Sequence, residues 1–230
     1  MAELEERVKP NVVYSITAPE NVVVVKNVLP EVFKSLPNTP KPQDGSWIDI
    51  ACVGAPVPHK SFDILPDVLK ELKALCVENV RFRVTIPSSD PLLAKYQEQL
   101  KKYGFEGRII SRGRCSQIEL AEMYRQCQLR FLPTLLEVFS SSTLEAMNFR
   151  LPVIAMDFDF NIEVMGDSCL YYEPMNAKAA AEQIKKYVDS EELRDEKKQK
   201  MDDRLKSFSD YDRHFNDILA FLVKVGEGRV

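Results

Sequence analysis

Histidine is scarce: His59 and His214 are the only two in 230 residues, which leaves little room for a histidine-built metal site or a Ser-His-Asp relay. Glycine is sparse too, and its eight copies are wrongly placed for a Gly-x-Gly-x-x-Gly turn or a Walker loop. Ordinary NAD binding and ATP hydrolysis are therefore poor fits. No apolar run approaches the ~20 residues that span a bilayer. The amino terminus, Met1-Ala2-Glu3-Leu4-Glu5-Glu6, is acidic where a secretory signal would be basic and then apolar, so a cytoplasmic location is expected. Charge of one sign is lacking as well. With 31 basic and 35 acidic side chains the net charge is -4, and no global field draws the chain to nucleic acid or anionic lipid. The five cysteines (Cys52, Cys76, Cys115, Cys127, Cys169) are odd in number and scattered. That pattern suggests reduced thiols packed as small hydrophobes and shows no disulfide framework or zinc site.

What is present is an alternation of strand-like and helix-like runs. Strands are expected at 21–26, 47–53, 80–86, 108–111, 129–132, 152–156 and 169–172. Helices are expected at 62–75, 91–103, 117–127, 142–149 and 177–188, each with apolar residues at three- and four-residue steps. Short connections between alternating elements imply a Rossmann-like α/β fold, a parallel sheet with helices on both faces. Asp90-Pro91, Ser116-x-x-Glu119 and Asn176 read as helix starts. Past residue 190 the pattern becomes a mixed-charge helix over 191–206, read as a solvated face, and then an amphipathic helix over 211–225 whose apolar stripe must dock on something. The Pro-rich stretch 37–46 is the clearest loop. The chain thus reads as an amino-terminal strand/helix extension (1–40), a sheet domain (41–190) and carboxyl-terminal helices (191–230) that pack on the domain or on a partner.

Ligands of open parallel sheets bind beyond the carboxyl ends of the strands. Four loops converge there. Gly54 to Lys60 offers a glycine for close backbone approach and a lysine point charge. His59, in the same loop, is placed to face a ligand. Ile86 to Asp90 and Ser111 to Ser116, which carries Arg112 and Arg114, follow the third and fourth expected strands. The fourth loop is the richest: Pro133 to Met147 places Glu137 and Glu145, seven residues apart, across a strand-to-helix junction whose turn is Phe139-Ser140-Ser141-Ser142-Thr143. Free N–H groups in a first helical turn, together with the helix dipole, favour a phosphate. With Ser142 as cap, Glu145 becomes the third helical residue, close enough to meet a ribose hydroxyl, and Glu137 faces the open side. Ser142-x-x-Glu145 equally fits a capping box that needs no ligand. After the next strand, Asp157-Phe158-Asp159 offers either a divalent-metal site bridging a diphosphate or ordinary turn-forming acids.

Taken together, Glu137 to Glu145 with Ala146-Met147, Leu151-Pro152-Val153-Ile154-Ala155, Asn161 to Asp167 and Tyr172-Glu173-Pro174 resemble the donor-binding half of retaining group 1 glycosyltransferases of the GT-B architecture. Val53 to Lys60 resembles the glycine loop of that family, and Asn21 to Val28 the segment that leads into the domain. The resemblance covers roughly residues 15 to 225. It implies a nucleotide-diphosphate sugar, UDP- or GDP-linked, as donor substrate rather than a bound cofactor, with no metal. It further implies that Glu145 binds the ribose and Glu137 contacts the donor sugar, while Lys60 and the backbone of Ser140 to Thr143 stabilise the leaving diphosphate. Loops near Ile86 to Ser88 and Arg112 to Arg114 would border the base. The chain departs from the family at Ala55, where an arginine is usual, at Val138 in place of glycine, and at the bulkier Asn148-Phe149-Arg150. It also holds nothing equivalent to the acceptor-binding half. The implied partners are therefore an acceptor saccharide or lipid-linked saccharide and an acceptor-binding domain or subunit, with a role in polysaccharide or glycolipid assembly and, through a partner, a peripheral membrane position. The alternatives are a catalytically incomplete nucleotide-sugar-binding subunit and a metal-dependent transferase using Asp157 and Asp159.

Overall fold

The computed structural model describes residues 27–41, 46–208 and 210–227. The expected strand at 21–26 lies outside the described residues. Six parallel strands, β1 (Ile48–Cys52), β2 (Val80–Val84), β3 (Ile109–Ser111), β4 (Leu129–Leu132), β5 (Val153–Met156) and β6 (Leu170–Tyr172), form one sheet in the order β3-β2-β1-β4-β5-β6. The fold is the expected Rossmann-like α/β sandwich. β4 and β5 are buried along their whole length, as strands covered on both faces must be. β2 alternates instead, with Val80, Phe82 and Val84 inward and Arg81 and Arg83 half-buried on the opposite face.

Nine α-helices are described: α1 (Glu31–Ser35), α2 (Leu65–Ala74), α3 (Pro91–Tyr103), α4 (Gln117–Gln126), α5 (Ser141–Asn148), α6 (Asp159–Met165), α7 (Ala177–Asp189), α8 (Glu191–Lys206) and α9 (Tyr211–Gly226). Local chemistry sets several of their starts. Asp90 accepts from the Leu92 N–H ahead of Pro91, Ser116 and Glu119 complete a reciprocal capping box, and Asn176 accepts from the Ala179 N–H. α3 ends on Gly104 at φ 73°, a left-handed stop that glycine adopts without strain.

Two apolar layers sandwich the sheet. On one face α2, α3 and α7 cover Phe82, Phe131 and Tyr172, whose rings step across the strands at centroid separations of 5.7 and 5.4 Å. On the other, α1, α4, α5 and α8 enclose Phe33, Tyr124, Phe149 and Met201. Each such buried side chain contributes about 1.5–3 kcal/mol of transfer free energy. Cys52, Cys127 and Cys169 are buried free thiols.

Two expectations need correction. The acids after β5 do not form a simple turn: Asp159 opens helix α6, where a negative charge favours the amino-terminal end of the dipole. Nor is α8 only a solvated face. Met201 is fully buried, the Lys197 ammonium donates to the Asp167 carbonyl at 2.7 Å, and Arg204 donates to the Val164 carbonyl at 2.9 Å. The long cationic stems lie along apolar surface while their heads satisfy carbonyls in the last turn of α6 and in the 3-10 turn that follows it. By contrast α9 buries no residue, and Tyr211, Phe215, Leu219 and Leu222 are exposed along one stripe. No helix among the described residues is long and apolar enough to cross a membrane.

Candidate functional site

The strand order reverses direction between β1 and β4. From β1 the chain winds outward to β3, then crosses to β4 and winds the other way. The loops that leave β1 and β4 must therefore part at their carboxyl ends, opening a crevice where open α/β sheets bind ligands. They are the Gly54 to Lys60 loop and the Glu137 to Thr143 loop.

After β1, the backbone of Gly54 is clamped to the next loop by Thr85. The Gly54 N–H donates to Thr85 Oγ1, which donates back to the Gly54 carbonyl, both at 2.9 Å. A methyl group on Gly54 would stand 3.3 Å from the Phe62 ring and 3.6 Å from the Lys60 stem. The contact with Lys60 is an ordinary one, so it is the Phe62 ring that crowds a side chain at this position. Pro58–Lys60 forms a 3-10 turn closed by Ser61 at φ 48°, and His59, exposed, gives its carbonyl to the Leu135 N–H at 2.8 Å. That bond ties the β1 loop to the β4 loop. A second tie is ionic: the Lys60 ammonium and the Glu137 carboxylate pair directly, both half-buried.

The β4 loop ends at Ser140, the cap residue of α5. No side chain caps this helix. Ser142 is its second residue and Glu145 its fifth, so the capping-box reading of Ser142 and Glu145 does not hold. The Ser142 hydroxyl accepts from the Arg130 guanidinium at 2.9 Å and meets the Ser140 hydroxyl at 3.0 Å. Glu145 faces inward and accepts from the Tyr124 hydroxyl at 3.0 Å. Its burial raises the carboxyl above the usual range, partly offset by Arg130 and by that hydrogen bond.

Other expected site residues separate. A cleft of about 480 Å³ opens beside Gly54, Ala55, Thr85, Asp90 and Arg114. Arg112 turns away from it to Gln126 Oε1, 3.1 Å off, and borders a neighbouring recess of about 450 Å³ with Ile118 and Glu122. Phe139 packs edge-on against Phe208, centroids 5.9 Å apart, so its ring braces the turn. Ser141 is half-exposed, and Thr143 is buried with its hydroxyl unpaired. The described residues hold no cluster of three or more acids, histidines or cysteines able to bind a metal. Sequence reading missed Arg130, which it took as part of an apolar strand, and also Tyr124 and Thr85. A lone arginine inside a central parallel strand was the available signal for the first.

The sequence family described as glycosyl transferases group 1 matches residues 39–204. The chain belongs to that family. Among curated proteins none matches this group 1 chain. Solved structures do. A TarM variant from S. aureus, crystallised with fondaparinux, alpha-GlcNAc-glycerol and UDP, superposes with TM-score 0.67 at 18% identity, covering 86% of this chain and 38% of that one. Sucrose-phosphate synthase from Thermosynechococcus elongatus superposes with TM-score 0.69 at 16% identity, covering 87% of this chain and 50% of that one. At such identities the likeness is one of fold, and the group 1 chain spans half or less of the length of these structures.

Proposed function

We propose that this chain binds a nucleotide-diphosphate sugar in the crevice between the β1 and β4 loops and, joined to an acceptor-binding half, transfers the hexose with retention. The diphosphate lies against the uncapped start of α5, with the Lys60 ammonium on its other side. The nucleotide base enters the cleft beside Gly54 and Arg114, the Glu145 carboxylate takes the ribose hydroxyls, and Glu137 meets the sugar. As the bond between the anomeric carbon and the diphosphate breaks, negative charge gathers on the leaving oxygens, where a fixed cation and helix dipole stabilise it selectively. The donor is UDP- or GDP-linked and needs no metal bridge.

One observation carries the reading: the two loops flanking the strand-order reversal are cross-tied by Lys60 and Glu137 directly before a helix whose start no side chain caps. Family membership supports it, as does the UDP in the TarM complex. Calorimetric titration of UDP, GDP and their sugars into wild type, Glu145→Ala and Lys60→Ala tests it. Binding to wild type should weaken in both variants, and equal, negligible heats in all three would end the idea.

A second reading, a binding or regulatory subunit without turnover, is favoured by Ala55, which brings no charge to the β1 loop, and by a Lys60 already engaged by Glu137. It predicts nucleotide binding but no transfer when an acceptor half is supplied; sugar transfer by the pair would exclude it. The acceptor half is expected to meet the exposed stripe of α9, and the acceptor itself to be a saccharide, free or lipid-linked, at a cytoplasmic membrane face.

A further inference from the structure

Arg130 is the bulkiest of the fully buried side chains. It stands on β4 paired with Ala51 of β1, at the strand-order reversal, and its guanidinium reaches up beneath the first turn of α5. No carboxylate among the described residues pairs with it. Its partners are neutral: it donates to the Ser142 carbonyl and, at 2.9 Å, to the Ser142 hydroxyl, while its Nε has no partner. The buried Glu145 carboxylate feels its charge without pairing with it, so the hydrogen bonds of the guanidinium all go to neutral acceptors, a costly way to bury a cation.

The hydrogen bonds show where that charge is delivered. Arginine can only donate, so the Ser142 oxygen accepts from it. The only other described partner of the Ser142 hydroxyl is the Ser140 hydroxyl, 3.0 Å away, and either of the two can donate in that bond. Arg130, Ser142 and Ser140 are thus linked in one line of hydrogen bonds that ends at the cap of α5, where the charge of Arg130 adds to the positive end of the helix dipole.

We propose that Arg130 is a positioning residue for the diphosphate, presenting its charge from beneath α5 through the Ser142 and Ser140 hydroxyls. This rests on the donor-binding reading above and goes beyond it by naming the buried source of the field. Because the effect is electrostatic, it scales with phosphate charge and spares the base.

The test is calorimetric titration of the full chain with uridine, UMP and UDP and with guanosine, GMP and GDP, using wild type, Arg130→Met, Arg130→Lys, Ser142→Ala and Lys60→Ala. For the series that binds, Arg130→Met should weaken the diphosphate about tenfold and the monophosphate about threefold, leaving the nucleoside unchanged. Arg130→Lys should restore most of the loss. Ser142→Ala, which breaks the line with one hydroxyl, should weaken the diphosphate about threefold and carries the test alone if Arg130→Met does not fold. Equal losses across nucleoside, monophosphate and diphosphate would reduce Arg130 to a structural role and overturn the proposal. Loss in Lys60→Ala with none in Arg130→Met or Ser142→Ala would overturn it while leaving the donor-binding reading intact. Unchanged diphosphate binding in Lys60→Ala would sink both.

Discussion

Glu137→Gln should tighten diphosphate binding even though Glu137 belongs to the proposed site. In the crevice the Lys60 ammonium is engaged by Glu137, with side-chain exposures of 18% and 20%. A diphosphate that claims Lys60 must displace that carboxylate or accept it as a like-charged neighbour. At the ~4 Å separation of ordinary ion pairs and an effective dielectric constant of about 20, the gross attraction is about 4 kcal/mol. Desolvation and side-chain ordering offset most of it, leaving about 1 kcal/mol net. Glutamine keeps the volume and the hydrogen-bond acceptor but removes the charge, so the cost of opening the pair falls. UDP or GDP should then bind Glu137→Gln about fivefold more tightly than wild type. The gain should shrink with added salt, which screens the half-buried pair. The matching nucleotide sugar should not share the gain, because the same substitution weakens the contact with the sugar. Isothermal titration with both ligands at low and physiological salt measures this. Diphosphate binding unchanged or weakened in Glu137→Gln would refute the claim that the pair competes with the ligand.

Burial raises the Glu145 carboxyl above its ordinary 4.5, so the native state takes up a proton before the unfolded chain does, and this group favours the fold increasingly as pH falls toward that value. The stability of wild type relative to Glu145→Gln should rise in thermal melts as pH falls from neutrality toward the ordinary carboxylate range, and parallel profiles would contradict the assignment. Nucleotide binding should weaken over the same interval as the ribose acceptor protonates. Burial pushes Asp49 up, but hydrogen bonds from Arg81 and Arg83 more than compensate and hold it below the usual range. Asp49→Asn should therefore cost about 3 kcal/mol near neutral pH, and the cost should fall as acid protonates the wild-type carboxylate, as urea titrations at several pH values would show. Excess chelator should leave diphosphate binding unchanged, and a dependence on magnesium would redirect the reading to Asp157 and Asp159. Replacing Phe215 and Leu222 on α9 by aspartate should change chain stability by no more than ~0.5 kcal/mol, since α9 buries nothing, yet abolish association with an acceptor half in a pull-down.

The layered fold was legible in sequence because the described strands are short segments rich in apolar residues and several helices carry their own start signals. Asp90-Pro91, Ser116-x-x-Glu119 and Asn176 act locally, within one turn, and the structure uses each as expected. Ser142-x-x-Glu145 has the same local signature and failed. Tertiary partners outcompeted the cap: Arg130, twelve residues upstream, takes the Ser142 hydroxyl, and Tyr124, twenty-one residues upstream, takes the Glu145 carboxylate. Helix α6 was missed because its acids sit at a strand end, where turn and helix start share a composition. The convergence of Gly54, Lys60 and Glu137 was legible as loops at one sheet edge. The pairing of Lys60 with Glu137, and the departure of Arg112 toward Gln126, depend on side-chain directions that no spacing encodes.

The sheet handles its two buried charges in opposite ways. Asp49 on β1 and Arg130 on β4 are both fully buried and project from the same face, since Asp49 stands two residues before Ala51, the partner of Arg130. They are of opposite sign, and a direct pair would have been the simplest way to bury both. Instead Asp49 is saturated by Arg81, at 2.5 and 3.0 Å, and by Arg83, at 2.9 Å, two cations from the neighbouring strand that the alternation of β2 delivers to it. Arg130 is left with neutral oxygens of Ser142. A charge that only had to be tolerated would be neutralised where it stands. Asp49 is satisfied by its neighbours, whereas among the described residues Arg130 acts on the Glu145 carboxylate without pairing with it and sends its own hydrogen bonds to the start of α5, the end at which the proposed diphosphate would lie.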